Sequence, residues 1–260
     1  MKGYETLSLA GLLEENSYPG RGIVLGMDWA SMDCVVVGEA ANGEEGLAAV
    51  CSVAVYFIMG RSVNSRNRIF VEEPDGIRTE AFDPAKLSDP SLIIYHPVRE
   101  AGRRLVVTNG DQTDTICEFL LRGQSFAAAL RTREFEPDAP NFTPRISGLL
   151  SPDGSYKLSI LKANDPEGSN CARQFFEYPG HPGTGHLLHT YVCDGTPIPS
   201  FAGEPKRVAL PGDIDALTDT VWNSLNPDNK VSLFVRFTNL ETRRFEQRLR
   251  NKNLEKGAVL

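Results

Sequence analysis

Two stretches of the 260-residue chain combine residue types and spacings that could do chemistry. The first, Gly60 to Arg68 (G-R-S-V-N-S-R-N-R), places Arg61, Arg66 and Arg68 within eight residues. Guanidinium forks bind phosphate oxygens bidentately and stay charged at any relevant pH, so this loop is a candidate anion site. Arg21, just after the turn Tyr18-Pro19-Gly20, could join it; a solvated surface loop is the plain alternative. The second stretch is Leu105 to Leu121, L-V-V-T-N-G-D-Q-T-D-T-I-C-E-F-L-L. Its β-formers meet the turn pair Asn109-Gly110, and Thr113 or Asp114 then offers an N-cap for an apolar helical run. Such a junction presents unpaired backbone N–H groups, which hold anions and developing negative charge. An ordinary turn and cap explains the same residues without a site.

Other candidates are less specific. His181, His186, His189 and Cys193 are spaced by five, three and four residues, which matches no standard zinc pattern. On a strand, His186 and His189 would also face opposite ways. Ser62 and Ser65 with the histidines are ingredients for a hydroxyl nucleophile, but there is no G-x-S-x-G elbow. Lys2 follows Met1, where an autocatalytic N-terminal nucleophile would need Cys, Ser or Thr. Single acid–base candidates are Tyr95 in L-I-I-Y-H-P, Glu136 in F-E-P-D-A-P, and Asp114. Spacing alone does not choose among them.

The elements that must position these residues are mostly strands. Turn signals at Glu73-Pro74-Asp75-Gly76, Ala101-Gly102 and Ser151-Pro152-Asp153-Gly154 mark hairpins, so consecutive strands are antiparallel neighbours. Strands are expected at Gly22–Gly26, Cys34–Val37, Leu47–Met59, Ile69–Glu72, Gln174–Tyr178, Leu187–Val192 and Val231–Phe237. A polar turn is expected at Glu39–Gly46, and a loop at Pro179–Gly185. Helices are expected near the N-terminus, over Thr115–Leu121 ended by Gly123, over Phe126–Phe135 capped by Ser125, and over Ile214–Leu225. Strand series with helices segregated between and after them indicate an α+β fold, two antiparallel sheets face to face with helices outside. The chain reads as a single domain over 1–240, followed by a charged surface helix or tail at 241–260.

Composition narrows the function classes. Hydrophobic content of 41% and charged content of 23% are those of a globular protein with a sizeable core. A net charge of −7 argues against a general nucleic-acid or membrane-surface binder, which needs a basic face. The five cysteines are widely spaced, odd in number and form no C-x-x-C pair, which fits free thiols in a reducing, cytoplasmic compartment. The N-terminus lacks a continuous apolar signal core, and the run Leu47–Met59, interrupted by Ser52, is too short to span a membrane core of about 30 Å.

Taken together, the segments resemble the archaeal-type IMP cyclohydrolase family and its bacterial relatives. The matching pieces are Y-P-G-R-G-I-V-L-G at Tyr18–Gly26, the G-R-S…N-R block at Gly60–Arg68, D-P-S-L-I-I-Y at Asp89–Tyr95, V-V-T-N-G-D-Q-T-D-T-I at Val106–Ile116, and F-E…N-F-T-P-R-I at Phe135–Ile146, in the family's order. The resemblance implies a four-layer αββα sandwich like that of the N-terminal-nucleophile hydrolases, without their nucleophile. It also implies homo-oligomeric assembly and a nucleotide substrate. The implied reaction is dehydrative ring closure of 5-formamidoimidazole-4-carboxamide ribotide to inosine monophosphate, with no metal or redox cofactor. By similarity Tyr95 and Glu136 are the catalytic pair. Tyr95 would protonate the formyl oxygen while Glu136 handles the carboxamide or leaving-water proton, or the two roles are exchanged. Arg21, Arg61 and Arg68 would bind phosphate or heterocycle oxygens, and Asn109, Gly110 and Asp114 would line the pocket. Two other classes remain open: a nucleotide-binding protein without turnover, and an amidohydrolase acting on another nucleotide-like amide.

Overall fold

The computed structural model describes residues 5–30, 49–86 and 93–255. The strand expected at Cys34–Val37, the turn at Glu39–Gly46 and the first four residues of the Asp89–Tyr95 motif lie outside the described residues. The chain opens with α1 (Leu9–Glu15), where the Ser8 hydroxyl accepts the Gly11 N–H at 3.2 Å. Two long strands follow, β1 (Arg21–Ala30) and β2 (Ala49–Met59), then a single-turn helix, α2 (Val63–Arg66). The hairpin β3 (Ile69–Glu73) with β4 (Gly76–Glu80) precedes the hairpin β5 (Val98–Ala101) with β6 (Arg104–Thr108). Helices α3 (Gln112–Leu121) and α4 (Phe126–Arg131) lead into β7 (Arg145–Leu150), β8 (Tyr156–Ala163), β9 (Cys171–Tyr178), β10 (Thr184–His189) and β11 (Lys206–Ala209). Helix α5 (Ile214–Ser224), strands β12 (Lys230–Asn239) and β13 (Phe245–Asn251), and the short α6 (Lys252–Glu255) complete the described chain.

These strands form two antiparallel sheets, one in the order β11-β10-β1-β2-β12-β13 and the other running β3 to β9 in sequence order. The apolar alternation explains how they stack. Along β2, Ala54, Tyr56 and Ile58 join Ile23 and Leu25 of β1 and Val107, Ile146, Leu158 and Ile160 of the second sheet in one buried cluster. The intervening Val53, Val55 and Phe57 turn the other way, against Leu9 and Leu13 of α1 and Leu217 and Val221 of α5. On the far side, Val106 and Leu149 pack on Ile116 and Leu120 of α3 and on Leu130 of α4. Helices, sheet, sheet and helices are therefore successive layers of an α+β sandwich, and the central strands read as continuous apolar runs because both of their faces are covered. Fully burying each large side chain of the middle layer stabilises the fold by roughly 1.5–3 kcal/mol.

Several boundaries differ from expectation for identifiable reasons. Helix α3 begins at Gln112, with Asp111 at the N-cap position and no side-chain cap bond, whereas Thr113 or Asp114 was expected to cap it. The Asp111 carboxylate is taken instead by Arg133 and Arg145. Helix α4 stops at Arg131, short of the expected Phe135. The charged segment after Glu241 forms β13 rather than a helix or tail over Phe245–Asn251. There Arg248 Nε donates to Asp215 of α5 at 2.6 Å, and Arg250 Nη2 donates to Asp219 at 3.0 Å. A strand of alternating long charged side chains looks like a solvated helix in isolation, and the backbone of β12 decides the matter.

Candidate functional site

Register delivers Arg21 to the space between the sheets. Arg21 pairs with Ile58, and Ile23 with Tyr56, so Arg21 shares the inward face with Ile23, Leu25 and Tyr56. Gly20 makes this entry possible. Its φ is +75°, and a Cβ there would collide with the Thr190 hydroxyl. Thr190 Oγ1 in turn accepts the Arg21 N–H at 3.1 Å and donates to the Pro19 carbonyl at 3.1 Å. At this end of the sandwich lies an open cavity of about 420 Å³, lined among others by Tyr18, Arg21, Arg61, Arg68, Glu136 and Tyr191.

Two buried guanidiniums lack partners. Arg21 Nε and both Nε and Nη1 of Arg68 have no hydrogen-bond acceptor among the described residues. Arginine is not deprotonated in proteins, so these N–H groups are donors held ready for an anion or carbonyl supplied from outside. Burial opposes the Arg21 charge, but Glu136 and the tyrosines around it hold its pKa above the ordinary value. Arg68 is displaced the opposite way, by burial and then by repulsion from Arg21. The Glu136 carboxyl has no hydrogen bond or ion pair among the described residues. Burial pushes its pKa up, against the opposing charges of Arg21, Arg145 and Arg68. A buried carboxyl whose pKa is raised by burial holds its proton more tightly than a solvated one, which suits a group that gives and takes protons.

Tyr95 stands beside the cavity rather than in its wall. Its hydroxyl lies 2.9 Å from that of Tyr56, and its charge state is felt by both Arg21 and Arg68. The backbone of Tyr95 is pinned by Thr79 of β4, whose N–H donates to the Tyr95 carbonyl at 2.9 Å while its hydroxyl accepts the Tyr95 N–H at 3.0 Å. Glu136 is placed by a looped segment in which its N–H donates to the Thr143 carbonyl at 2.9 Å. The same segment is stapled by Asp138, which accepts both the N–H and the hydroxyl of Thr143, and by a 2.6 Å contact between the Thr143 and Tyr191 hydroxyls.

Of the three loop arginines, Arg61 and Arg68 reach the cavity. Arg61 lies over the Tyr18 ring at 5.2 Å and pairs with Asp194. Arg66 is structural, with Nε donating to the Gly60 carbonyl at 2.9 Å and Nη2 to Asn229 at 2.8 Å. Ser62 and Ser65 cap α2 reciprocally, their hydroxyls bonded to one another and to the α2 backbone.

Asn109, Gly110 and Asp114 do not line the cavity. Asn109 is buried, accepts the Ile146 N–H at 2.8 Å and the Gln112 amide at 3.1 Å, and donates to the Pro144 carbonyl at 2.9 Å. A Cβ on Gly110 would meet Arg145 Nη1. Arg145 also donates to Gln112 at 2.7 Å and pairs with Asp111 at 2.7 Å. Burial alone would raise the Asp111 carboxyl, but the hydrogen bond from Arg133 and the charge of Arg145 bring it below its usual value. Asp114 faces outward and pairs with Arg99 at 2.8 Å. The strand-turn-helix stretch thus holds Pro144 to Ile146, the segment that follows the Glu136 loop.

The histidines disperse. His186 stacks on Tyr178 at 3.7 Å and meets the Tyr156 hydroxyl at 2.6 Å, while His189 Nδ1 lies 2.8 Å from the Tyr191 carbonyl. Among the described residues no three His, Cys, Asp or Glu side chains converge as metal ligands. No helix among them is long and apolar enough to cross a membrane. Sequence reasoning missed Tyr18, Asp138, Thr143 and Tyr191 as cavity residues. Tyr18 and Thr143 sat inside quoted motifs without being singled out, and Tyr191 gives no local signal.

The family described as IMP cyclohydrolase-like protein matches residues 18–243, a span that includes every cavity residue named above. A protein of Halobacterium salinarum named IMP cyclohydrolase is 35% identical over 117 residues, covering 44% of this chain and 59% of that relative. The chain therefore matches less than two thirds of that relative's length. An IMP cyclohydrolase of Methanopyrus kandleri is 30% identical over 166 residues, 57% of this chain and 81% of the relative. One of Haloquadratum walsbyi is 29% identical over 103 residues, 38% and 51% of the two chains. On the match from Tyr18 through the last long strands, the chain belongs to the IMP cyclohydrolase-like protein family.

Proposed function

We propose that the cavity closes the purine ring, converting 5-formamidoimidazole-4-carboxamide ribotide to inosine monophosphate with release of water. The observation that carries this reading is the pair of buried guanidiniums, Arg21 and Arg68, beside a buried carboxyl, Glu136, all three without hydrogen-bond or ion-pair partners for these groups among the described residues. The carboxamide nitrogen attacks the formyl carbon, a carbon–nitrogen bond forms, and the nitrogen loses a proton. The formyl oxygen gains negative charge, is protonated and departs as water. Because both reacting groups belong to one molecule, positioning supplies much of the acceleration.

In this reading Arg21 and Arg68 donate to the oxygens that become negative, and Arg61 at the cavity rim takes phosphate. Glu136 exchanges the nitrogen or water proton, and Tyr95, backed by Tyr56, donates to the formyl oxygen. Asn109, Gly110 and Asp114 act at a distance, through the 144–146 segment and the packing of α3. The step calls on no metal or redox cofactor. Homo-oligomeric assembly, implied by the resemblance, belongs to the same reading and is checked by sedimentation.

The test is ring closure followed by ultraviolet absorbance, together with a crystal soaked in inosine monophosphate. Turnover, with the heterocycle seated between Arg21, Arg68 and Glu136, supports the proposal. Tight nucleotide binding without turnover would make the chain a nucleotide-binding protein, and release of formate or ammonia without ring closure would make it an amidohydrolase.

A further inference from the structure

The sandwich has a second concave surface at its opposite end. Ser52 pairs with Met27 and Thr238, whereas Arg21 pairs with Ile58, so the two ends are about 20 Å apart along β1. Three hairpin turns converge there around a cavity of about 240 Å³. Its charged lining is Arg103, Arg104, Arg236 and Arg243 against one carboxylate, Glu100. That concentration of positive charge stands out in a chain of net charge −7.

The arginines are not equivalent. Arg236 forms the floor, with its side chain 3% exposed; Nη1 donates to Glu100 at 2.8 Å and Nη2 to Gln247 at 2.8 Å. Its guanidinium also lies 3.9 Å from the Phe245 ring centroid, which fixes its plane. Arg243 is held with φ +64°, a conformation disfavoured for a residue bearing a Cβ. From there it bridges two hairpins, donating to the Arg103 carbonyl at 2.9 Å and toward the Pro152 carbonyl at 3.5 Å. Arg103 and Arg104 flank the opening, and their guanidiniums have no hydrogen bond or ion pair among the described residues. Phe245, 45% exposed, offers an apolar ring at the same rim.

We propose that this end of the sandwich is a second anion site, which takes the phosphate of a nucleoside monophosphate between Arg103, Arg104 and Arg243 and lays the base on Phe245. The volume fits that division of labour. A pocket enclosing a whole drug-sized ligand measures roughly 300–1,000 Å³, so this one admits the phosphate end and leaves the ring outside. Phosphate recognition by several guanidiniums, with a base on an aromatic side chain, uses two interactions available together at this rim. The Arg236–Glu100 pair already satisfies the floor, so specificity for a dianion falls to the three upper arginines.

The test is calorimetric titration of adenosine 5′-monophosphate and, separately, inorganic phosphate into the full chain, the Arg103→Ala/Arg104→Ala variant, Phe245→Ala and Arg68→Ala. The expected result is a binding event that survives Arg68→Ala and weakens at least tenfold in the Arg103/Arg104 variant, with melting temperature and ring-closure rate unchanged. Phe245→Ala weakens the nucleotide but not inorganic phosphate. If the Arg21 cavity fails to bind nucleotides, the full chain still shows this one event, so the two readings fail separately. Nucleotide binding indifferent to the Arg103/Arg104 substitutions would overturn the site, and equal affinity for phosphate and nucleotide would overturn the ligand class. A changed sedimentation coefficient in the variant would make the face a subunit contact instead.

Discussion

The hydroxyls of Tyr56 and Tyr95 lie 2.9 Å apart, and Tyr56 is completely buried in the layer between the sheets. Burial holds the Tyr56 phenol well above its usual pKa, reinforced by the neighbouring Tyr95 charge, so it remains protonated. In the proposed mechanism this hydroxyl–hydroxyl contact lets Tyr56 support charge on the Tyr95 oxygen as Tyr95 donates to substrate. Tyr95→Phe is expected to lower kcat about 100-fold with little change in KM, the usual scale for losing one donor to a developing oxyanion. Tyr56→Phe, which removes only the backing hydroxyl, should cost several-fold less. Steady-state kinetics on both variants decides this, and near-wild-type kcat in Tyr95→Phe removes Tyr95 from the mechanism.

Glu136→Gln should separate activity from stability. The neutral isostere loses proton exchange, so kcat falls by roughly 10²–10⁴. Because the native pKa of Glu136 is raised, the native state binds its proton more tightly than the unfolded chain does. The stabilisation this gives is complete below the ordinary glutamate range and is lost as pH rises through the raised native value. At pH 7 and above the variant should therefore melt at a higher temperature than the parent, with the difference vanishing in acid. Thermal melts from acid to mildly alkaline pH measure it, and a lower melting temperature at pH 8 contradicts the argument.

Arg68→Met is expected to weaken substrate and product binding by about 10–100-fold, the range for losing one or two charge-assisted hydrogen bonds. The same change removes a buried charge whose Nε and Nη1 have no partner among the described residues. Unliganded stability should hold or rise while the stabilisation conferred by inosine monophosphate falls. Melting curves with and without the nucleotide read both effects.

Asn109→Ala tests support at a distance. The substitution strands the Ile146 N–H and the Pro144 carbonyl, both now paired with the Asn109 amide. A destabilisation of about 2–4 kcal/mol follows from buried polar groups left without partners. If Asn109 only holds the 144–146 segment, kcat falls while denaturant unfolding shows the loss, and no contact to Asn109 appears in a nucleotide complex. Such a contact in a crystal would return Asn109 to the pocket wall.

His186 and His189 both have pKa values lowered to about 4, chiefly by burial. A depressed native pKa means the unfolded chain binds the extra proton first, so stability holds above pH 6.5 and falls as pH drops toward 4. His189 is the more buried, and its share is on the order of 3 kcal/mol across that window. His189→Gln should flatten the acid limb of a stability–pH curve, and an unchanged slope argues that carboxylates alone produce it.

The chain's own order of residues was enough for most of the scaffold. Hairpin turns at Glu73–Gly76, Ala101–Gly102 and Ser151–Gly154, the Ser125 cap and the left-handed Gly123 are local features whose chemistry acts within a few residues. Resemblance then marked Arg21, Arg68 and Glu136, which three separate segments bring to one cavity. Tertiary structure alone decided the rest. Asn109 bonds to the segment after Glu136 rather than lining the cavity, because Pro144 and Ile146 offer backbone partners that only sheet pairing brings near. Tyr191 joins the site because β10 pairs with β1, a contact between residues far apart in sequence. Local patterns specify which residues are polar, apolar or turn-forming. Which partner satisfies each buried polar group depends on register and packing between distant strands, and that determines whether a side chain supports the site or faces the substrate.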